Sequence, residues 1–576
     1  MLLLLFTWMI FGGVSVLGLN VTIASVPFVG SYELSPDENM AISVESTEQY
    51  LVSAHANHQE MVVFPEGYFW WYLPTRELAL TYSDPYIPVC DGINANTNSS
   101  INPCLDEYDR TTIGRLTRLL SCLSAKYGIY LVINIATKSC STECSLYNTE
   151  IVFDHRGFIL ATYRKAHNYG TTPPFDSPLA KLHKLDTGDV STFTVNGMKM
   201  GLLVCFDIEF TNPMHSLLSH NPDLDVVIIS MYWSNTPPLS WSILYQQSFS
   251  ILYPGITVIA ANDGNDALSW GTGVYHNGLL VSNKELFAID SGKQENGNGN
   301  TYKSDGVGMI TVQLPVTSIG RVEKKRKNHQ EGRLLTRKGD TTIGTVTVKN
   351  GVKSKNVPCF IAPYGSGKCT PIIIEKDKWK AGSIHTVQSQ VDGLYCNVHF
   401  SSVAPLTKRE YADSDPSYAS SNDSLVITAI NSTLYIPGSD PLNILICSVV
   451  MCQQETMIDE GNEERGGNNE GVRGSDEERG AGDTLQCANL YTSFSAMDLI
   501  LEMHISPSSS LDTPLDVQEM GASDSYQVMP LVARQDAHTL DATLWTYEGA
   551  NEGANGTIVV PGMQAFGTVS LFAIKQ

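Results

Sequence analysis

The pattern of apolar and polar positions changes once along the chain, near residue 320. Before that point, short apolar runs alternate with segments whose apolar residues recur at helical spacing, which is typical of helices packed on sheets. We therefore predict an α/β domain over residues 20–320. Its strands are predicted at residues 60–65, 127–136, 151–163 (a hairpin that turns at 154–157), 198–204, 226–231 and 257–261, and its helices at residues 113–126 and around His215 and Tyr245.

Beyond residue 330, strand-like pieces separated by turn residues dominate, as at residues 341–348, 425–430 and 567–573. This texture predicts a smaller, mostly β second domain over residues 330–576. Residues 455–483 are rich in Glu, Gly, Asn and Arg and contain almost no apolar side chain. Because such a segment cannot bury enough apolar surface to order itself, we predict a disordered acidic insertion there.

The first 18 residues are typical of a signal peptide. Residues 2–17 are apolar and uncharged but too short for an ordinary membrane span, and Val16 and Gly18 provide small-residue positions for cleavage before Leu19. A retained signal anchor is the alternative. Secretion is therefore expected, and it fits five glycosylation triplets, which begin at Asn20, Asn98, Asn422, Asn431 and Asn555.

The charge balance narrows the class of partner. With 60 acidic and 37 basic residues, the chain carries a net charge of −23, which argues against a nucleic acid or an anionic membrane. We predict no membrane span after the signal segment and no metal site, and the oligomeric state stays open. A small molecule is the expected partner.

The twelve cysteines suggest disulfides in an oxidising compartment. Cys122 lies in a predicted helix and is interpreted as a buried thiol, and Cys205 follows a predicted strand. Without these two, ten remain: four in loops of the first domain (Cys90, Cys104, Cys140 and Cys144) and six in the second. Local pairing is thus possible without Cys205, which permits a free thiol there but does not require one.

Three residues with reactive side chains each follow a predicted strand of the first domain: Glu66, Lys165 and Cys205. Reactive groups gather at the carboxyl ends of strands in α/β folds, so these three are the candidate site. Each also has a simpler interpretation. The glutamate could be a cap or surface ion pair, the lysine a solvated side chain, and the cysteine a buried or disulfide-bonded residue.

The motifs around these residues resemble the three signatures of the nitrilase superfamily, in the same order: Phe64-Pro-Glu66, Tyr163-Arg-Lys165 and Val204-Cys-Phe-Asp207. The segments 205–210, 230–233 and 237–241 are similar to the vanin and biotinidase branch of that superfamily. The resemblance implies an αββα sandwich followed by an extra β domain. It also implies hydrolysis of a carbon–nitrogen amide bond without a cofactor.

The resemblance assigns roles to the residues. Cys205 would be the nucleophile, Glu66 the general base and acid, and Lys165 the group that stabilises the oxyanion with the backbone N–H of Phe206. Phe206 and Trp233 are the candidate substrate-binding residues. Pantetheine, cleaved to pantothenate and cysteamine, is the expected substrate; a biotin amide is the alternative, and a catalytically impaired secreted protein with a binding or storage role is the competing class.

The segment after Lys165 departs from the family. Many members carry a second glutamate shortly after the lysine, but residues 165–176 contain none. Asp176 could substitute for it, although it is displaced and shorter. His167 could instead orient the lysine, or it could be an ordinary polar loop residue.

Overall fold

A computed structural model describes the chain as two compact units, the first with the elements of residues 19–314 and the second with those of residues 365–575. The residues described are 19–25, 30–94, 99–105, 113–169, 174–178, 191–233, 241–262, 271–281, 308–314, 365–375, 384–391, 394–402, 423–434, 442–455, 484–486, 497–505, 526–533, 546–549, 555–563 and 568–575.

The first unit contains two large mixed sheets. Its elements are β1 (Leu19–Ser25), α1 (Pro36–Ala56), β2 (Met61–Val63), α2 (Arg76–Tyr82), β3 (Asp84–Pro85), β4 (Val89–Cys90), β5 (Ile93–Asn94), α3 (Arg115–Tyr127), β6 (Tyr130–Cys140), β7 (Cys144–Phe153), β8 (Ile159–Arg164), β9 (Thr192–Val195), β10 (Met198–Val204), a 3₁₀ helix (Cys205–Glu209), α4 (Thr211–His220), β11 (Val226–Met231), α5 (Trp241–Leu252), β12 (Thr257–Asn262), β13 (Gly273–His276), β14 (Leu279–Leu280) and β15 (Gly308–Leu314).

The first sheet has the order β15-β1-β2-β6-β7-β8, and the second has the order β14-β13-β12-β11-β10-β9. In each sheet the central strands are parallel, β1-β2-β6 in the first and β10-β11-β12 in the second. The two sheets face each other, with β1 against β12 and β7 against β10. Helices α1 and α3 pack on the first sheet, and α4 and α5 pack on the second. This is the αββα sandwich that the sequence predicts.

The β7–β8 hairpin turns where the sequence predicts it. Asp154 accepts hydrogen bonds from the backbone N–H groups of Arg156 and Phe158, each at 2.8 Å. Gly157 adopts φ +89°, and an added Cβ would lie 2.7 Å from the carbonyl oxygen of Ser121. Glycine therefore meets both the conformational and the spatial demand of this turn. The register of the hairpin brings Glu150 opposite Tyr163.

Two disulfides occur among the described residues of the first unit, Cys104–Cys122 and Cys140–Cys144. The interpretation of Cys122 as a buried thiol is wrong, because its place on α3 puts it beside the loop that carries Cys104. Cys205 is free and buried. The free thiol that the sequence permitted at Cys205 is thus confirmed.

The second unit consists of antiparallel strands, in agreement with the predicted β texture. One sheet is β16 (Gly365–Glu375), β19 (Asp423–Leu434), β20 (Leu442–Glu455), β26 (Thr568–Lys575) and β23 (Tyr526–Ala533), with β21 (Thr484–Gln486) beside β20. The other is β17 (Ile384–Val391), β18 (Leu394–Ser402), β22 (Met497–Ile505), β25 (Asn555–Met563) and β24 (Thr546–Gly549). The disulfide Cys396–Cys447 joins β18 to β20 and so links the two sheets.

The long helix α1 was not among the predicted elements. Its start is fixed by a capping box, in which Ser35 and Glu38 satisfy each other's backbone N–H groups. The predicted signal peptide, the strand at residues 341–348 and nearly all of the acidic insertion lie outside the described residues. Within the described part of the chain, no helix has the length and apolar composition needed to cross a membrane.

Candidate active site

Glu66 lies just past the end of β2, and its carboxylate is buried between the two sheets. Pro65 ends the strand, and the N–H of Glu66 donates to the carbonyl oxygen of Met231 on the second sheet, at 3.3 Å. Only 2% of Glu66 is exposed. A carboxylate so enclosed needs donors, and Oε1 receives two: Lys165 Nζ at 2.7 Å and Asn148 Nδ2 at 2.6 Å.

Lys165 directly follows β8, and its ammonium group is 1% exposed. Its backbone N–H donates to the carbonyl oxygen of Asn148, at 2.8 Å, which fixes the end of the strand. Burial by itself would lower the pKa of Lys165, but the charge of Glu66, with further contributions from Cys205 and Asp207, raises it. The charges around the lysine therefore favour its protonated form.

Cys205 begins the 3₁₀ helix that follows β10, and its backbone adopts φ +48°. A side chain other than glycine rarely takes this left-handed conformation, which costs about 1–2 kcal/mol. The turn places the thiol beside Glu66, Lys165 and the backbone of Tyr232. Burial and the neighbouring Glu66 charge raise the pKa of the Cys205 thiol well above its usual range.

The side chain of Asp207 stabilises the turn at Cys205. Its carboxylate accepts hydrogen bonds from the hydroxyl of Tyr163 at 2.8 Å and from the backbone N–H groups of Val204 and His167, at 3.1 and 2.8 Å. Burial raises the pKa of Asp207 to about 6, against the opposing effect of Lys165 and these donors. Because Tyr163 and His167 flank Lys165, Asp207 ties the lysine segment to the cysteine turn.

A chain of buried polar side chains lies behind Glu66 and was not foreseen from the sequence. Asn148 Oδ1 accepts from Asn134 Nδ2 at 2.8 Å, and the same nitrogen lies 3.2 Å from Glu150 Oε2. Glu150 Oε1 in turn lies 2.7 Å from the hydroxyl of Ser230. The signal that could have revealed them is the polar triplet Asn148-Thr149-Glu150, which directly precedes the apolar residues 151–153 of the same strand.

Neither suggested replacement for the second family glutamate contacts Lys165. Asp176 pairs with Arg76 at 2.6 Å and accepts from the N–H of Leu146, at 2.9 Å. The ring of His167 stacks on Phe210 at 3.7 Å, and its Nε2 lies 2.9 Å from the carbonyl oxygen of Asn212. Burial lowers the pKa of His167 to about 4, so the ring is neutral. Both suggestions are therefore wrong.

The two candidate substrate-binding residues each follow a strand of the second sheet and each belong to a cluster of aromatic side chains. Phe206, beside the nucleophile candidate, is buried and makes edge contacts with Tyr169 and Phe210. Trp233 stacks on Tyr245 at 4.9 Å, and its backbone exchanges two hydrogen bonds with the side chain of Asn262. Four of the five aromatic residues between positions 68 and 72, just after Glu66, belong to the hydrophobic core: Tyr68, Phe69, Trp70 and Tyr72.

The predicted glycosylation triplets have varied positions. Asn20 and Asn431 lie half-buried within β1 and β19, and Asn555 is the first residue of β25. Asn98 and Asn422 lie outside the described residues. Among the residues that can be described, no group of three His, Cys, Asp or Glu side chains is placed to bind a metal ion.

The geometry brings together all three residues that the sequence singled out. A thiol, a carboxylate that can accept its proton and a cation meet at strand ends from both sheets, and all three side chains are buried. Such a group can deprotonate a sulfur, direct it at an electrophilic carbon and stabilise the negative charge that develops on oxygen.

Comparison with known proteins places this unit in a family. Residues 28–249 match the family model for carbon-nitrogen hydrolases. The chain is 25% identical to vanin-like protein 2 of Drosophila melanogaster over 285 residues, 46% of this chain and 49% of the relative. It is 30% identical to biotinidase of Mus musculus over 251 residues (41% and 44%) and 27% identical to pantetheinase of Bos taurus over 230 residues (38% and 42%).

Each match spans less than half the length of the curated relative. A solved amidase from Nesterenkonia sp. is 15% identical, with a TM-score of 0.35, and the alignment covers 52% of this chain and 90% of that one. The family match coincides with the unit that holds Glu66, Lys165 and Cys205. The match of residues 28–249 to the carbon-nitrogen hydrolase model, together with the similarity to vanin-like proteins, biotinidase and pantetheinase, supports placing this unit in the vanin and biotinidase branch of the nitrilase superfamily.

Proposed function

We propose that the chain is an amidase that cleaves a linear carbon–nitrogen amide bond through a thioester on Cys205. The observation that carries the proposal is the buried cluster in which Glu66 Oε1 and Lys165 Nζ lie 2.7 Å apart, with the Cys205 thiol beside both. The raised pKa of the thiol keeps its proton in place until a substrate arrives. Deprotonation then accompanies attack.

In the first half-reaction, the sulfur bonds to the amide carbon as Glu66 takes the thiol proton. The carbonyl oxygen becomes an oxyanion, which the ammonium group of Lys165 and the backbone N–H of Phe206 stabilise. Glu66 then gives its proton to the nitrogen, the carbon–nitrogen bond breaks and the amine leaves. The acyl group remains on Cys205 as a thioester.

In the second half-reaction, water replaces the amine. Glu66 takes a proton from water as its oxygen bonds to the thioester carbon, and Lys165 again faces the oxyanion. The carbon–sulfur bond breaks, Glu66 returns the proton to sulfur, and the carboxylic acid leaves. Atoms and charges balance without a metal or organic cofactor.

The preferred substrate is pantetheine, cleaved to pantothenate and cysteamine. Similarity to vanin-like proteins and to a pantetheinase supports this choice, and the 30% identity to a biotinidase supports a biotin amide as the alternative. The departure after Lys165 had raised the alternative of an impaired binding protein. Against that alternative, the lysine is held by Glu66 and by the backbone of Asn148 without any glutamate from its own loop.

The test is hydrolysis of pantothenoyl and biotinyl amides by the purified full chain. We expect acid and amine in equal amounts, and mass spectrometry of quenched reactions should show the acyl group on Cys205. Cys205→Ala should lose more than about 10³-fold in kcat/KM. Cys90→Ala, at an exposed cysteine outside this cluster, is the matched control and should keep wild-type activity. Turnover by Cys205→Ala, or activity on neither amide class, would show the proposal to be wrong.

We also propose that the protein is exported and glycosylated. The disulfides Cys104–Cys122, Cys140–Cys144 and Cys396–Cys447 support an oxidising compartment. N-terminal sequencing of protein from the culture medium should begin at Leu19. A product that retains residues 1–18 would indicate the signal anchor instead.

A further inference from the structure

We propose that Glu150 works as a neutral carboxylic acid that positions Glu66, and that it does so through both the side chain of Glu66 and the backbone just before it. The inference rests on the proposed amidase function. Glu150 lies in the middle of β7 and is 0% exposed. Neither the family motifs nor the proposed mechanism gives it a role. It is nevertheless the starting point of two chains of hydrogen bonds that lead toward Glu66, which are described next.

The first route runs through two amides whose orientation is fixed. Asn134 Oδ1 accepts from the backbone N–H of Gly67 at 3.0 Å and from Trp70 Nε1 at 2.7 Å. Both of these groups can only donate, so the NH₂ of Asn134 must face Asn148 and Glu150. Because Asn148 then accepts on its oxygen, its own NH₂ faces Glu66 Oε1.

The second route runs through Ser230 to the backbone that precedes Glu66. The hydroxyl of Ser230 lies 2.7 Å from Glu150 Oε1 and 2.7 Å from the carbonyl oxygen of Phe64. A carbonyl can only accept, and a serine hydroxyl has a single hydrogen to donate. If Glu150 carries a proton on Oε1, it donates to Ser230, and Ser230 donates to Phe64. All the hydrogen bonds then form together.

An ionised Glu150 would break this arrangement. It would compete with the Phe64 carbonyl for the one hydroxyl hydrogen of Ser230, and it would place a second negative charge near Glu66. Burial raises the pKa of Glu150 to about 8, with the Glu66 charge adding to the effect and the hydrogen bonds from Ser230 and Asn134 opposing it. The neutral form is therefore the one that the site holds at neutral pH.

The surroundings of Glu150 contain few other titratable groups. In register, Asn134 on β6 and Tyr163 on β8 lie opposite it, and from β11 it meets Ser230. Tyr163 donates to Asp207, and Glu66 is the charged group whose field reaches Glu150. Lys165 lies on the Glu66 side of the network and pairs with that carboxylate.

The test compares Glu150→Gln with Glu150→Ala in the full chain. Glutamine keeps the shape, an N–H donor toward Ser230 and an oxygen that accepts from Asn134, but it cannot ionise. At pH 7 we expect Glu150→Gln to keep kcat/KM within about threefold of wild type and Glu150→Ala to lose at least about tenfold. The wild-type profile should fall on the alkaline side with a midpoint at pH about 8, and Glu150→Gln should lack that limb.

A second readout needs no substrate. The rate at which iodoacetamide alkylates Cys205 should follow the same order, with wild type and Glu150→Gln alike and Glu150→Ala slower, measured on protein shown to be folded by circular dichroism. If wild type hydrolyses no amide, the proposed function fails, whereas this order of rates still tests Glu150. A loss in Glu150→Gln as large as in Glu150→Ala, or none in either, would overturn the inference.

The pH dependence of folding stability gives a third check. Whether stability rises or falls with pH follows from the direction of the shift in the pKa of Glu150. The unfolded chain releases the Glu150 proton above its ordinary pKa of 4.5, whereas the folded chain keeps it to about 8. Raising the pH between these values therefore favours unfolding, with no further change from this group above about 8. Between about pH 5 and 8, wild type should lose more in Tm than Glu150→Gln does. Equal losses would contradict a neutral buried acid.

Discussion

At the first sheet, hydrogen bonds between side chains fix the positions of Glu66 and Lys165. At the second sheet, the backbone turn fixes the position of Cys205. Glu66 Oε1 receives hydrogen bonds from Lys165 and Asn148, and further amides stand behind them. Cys205 instead owes its position to a left-handed turn that Asp207 secures. Substitutions in the first sheet should therefore change rates more than stability, and those in the second should change stability first. Four predictions test this difference.

The largest expected effect is on the second sheet, for Asp207→Ala. This change leaves three buried donors without their acceptor: the Tyr163 hydroxyl and the N–H groups of Val204 and His167. Each such loss costs about 1–3 kcal/mol, so we expect the free energy of unfolding to fall by about 4 kcal/mol. Chemical denaturation measures it. Asp207→Asn, which keeps an acceptor, should lose less; equal losses would mean that the carboxyl contacts do not secure the turn.

The next effect is on the first sheet, for Lys165→Met, which keeps the length of the side chain but removes its charge. The oxyanion loses its cationic partner, so kcat/KM should fall by about 10²–10³-fold. Steady-state kinetics and a melting curve should be recorded on the same preparation. The comparison of the sheets predicts that activity falls far more than Tm. A variant that unfolds instead would place Lys165 among the stabilising residues.

A smaller effect isolates the strain at Cys205. Both Cys205→Ala and Cys205→Gly remove the sulfur, but only glycine accepts φ +48° at no cost. We expect the glycine variant to be about 1 kcal/mol more stable than the alanine variant. Ala125→Gly in the helix α3 is the control, where glycine should cost about 0.5–1 kcal/mol instead. If the protein with glycine is less stable than the protein with alanine at both positions, the turn holds no strain.

The smallest effect is expected at Asp176. Its salt bridge with Arg76 is partly exposed, at 35% for each side chain, and exposed pairs contribute about 0–1 kcal/mol. Asp176→Asn should therefore leave kcat/KM within about twofold of wild type. A loss comparable with that of Lys165→Met would restore Asp176 as the substitute for the missing family glutamate.

The ends of the predicted strands were accurate enough to locate the site. Strand β10 was predicted at its observed bounds, Met198–Val204, and Glu66 and Lys165 also come after short strands as expected. Apolar runs and turn residues are local signals, so they can be read from neighbouring positions. This locality explains why the three residues could be proposed together before their distances were known.

The features that the sequence analysis missed or misassigned depend on contacts between segments that are distant in the sequence. Asn148 and Glu150 meet Asn134 only through the register of the β6–β7 hairpin, and Ser230 reaches Glu150 from the other sheet. Cys122 pairs with Cys104 across an 18-residue separation that composition cannot assign. Long-range polar contacts of this kind leave no period in the sequence, which is why the support behind Glu66 was missed.

The Cys140–Cys144 disulfide fixes the alignment of the β6–β7 hairpin with a covalent bond. These two cysteines are register partners at the end of β6 and β7, on the same two strands that carry Asn134, Asn148 and Glu150. A slip by one residue would put Asn134 on the opposite face of the sheet from Asn148 and Glu150. Oxidation at the hairpin end thus secures the alignment on which the hydrogen bonds between Glu150 and Glu66 depend. Maturation of the site is thereby coupled to the thiol chemistry of the compartment in which the chain folds.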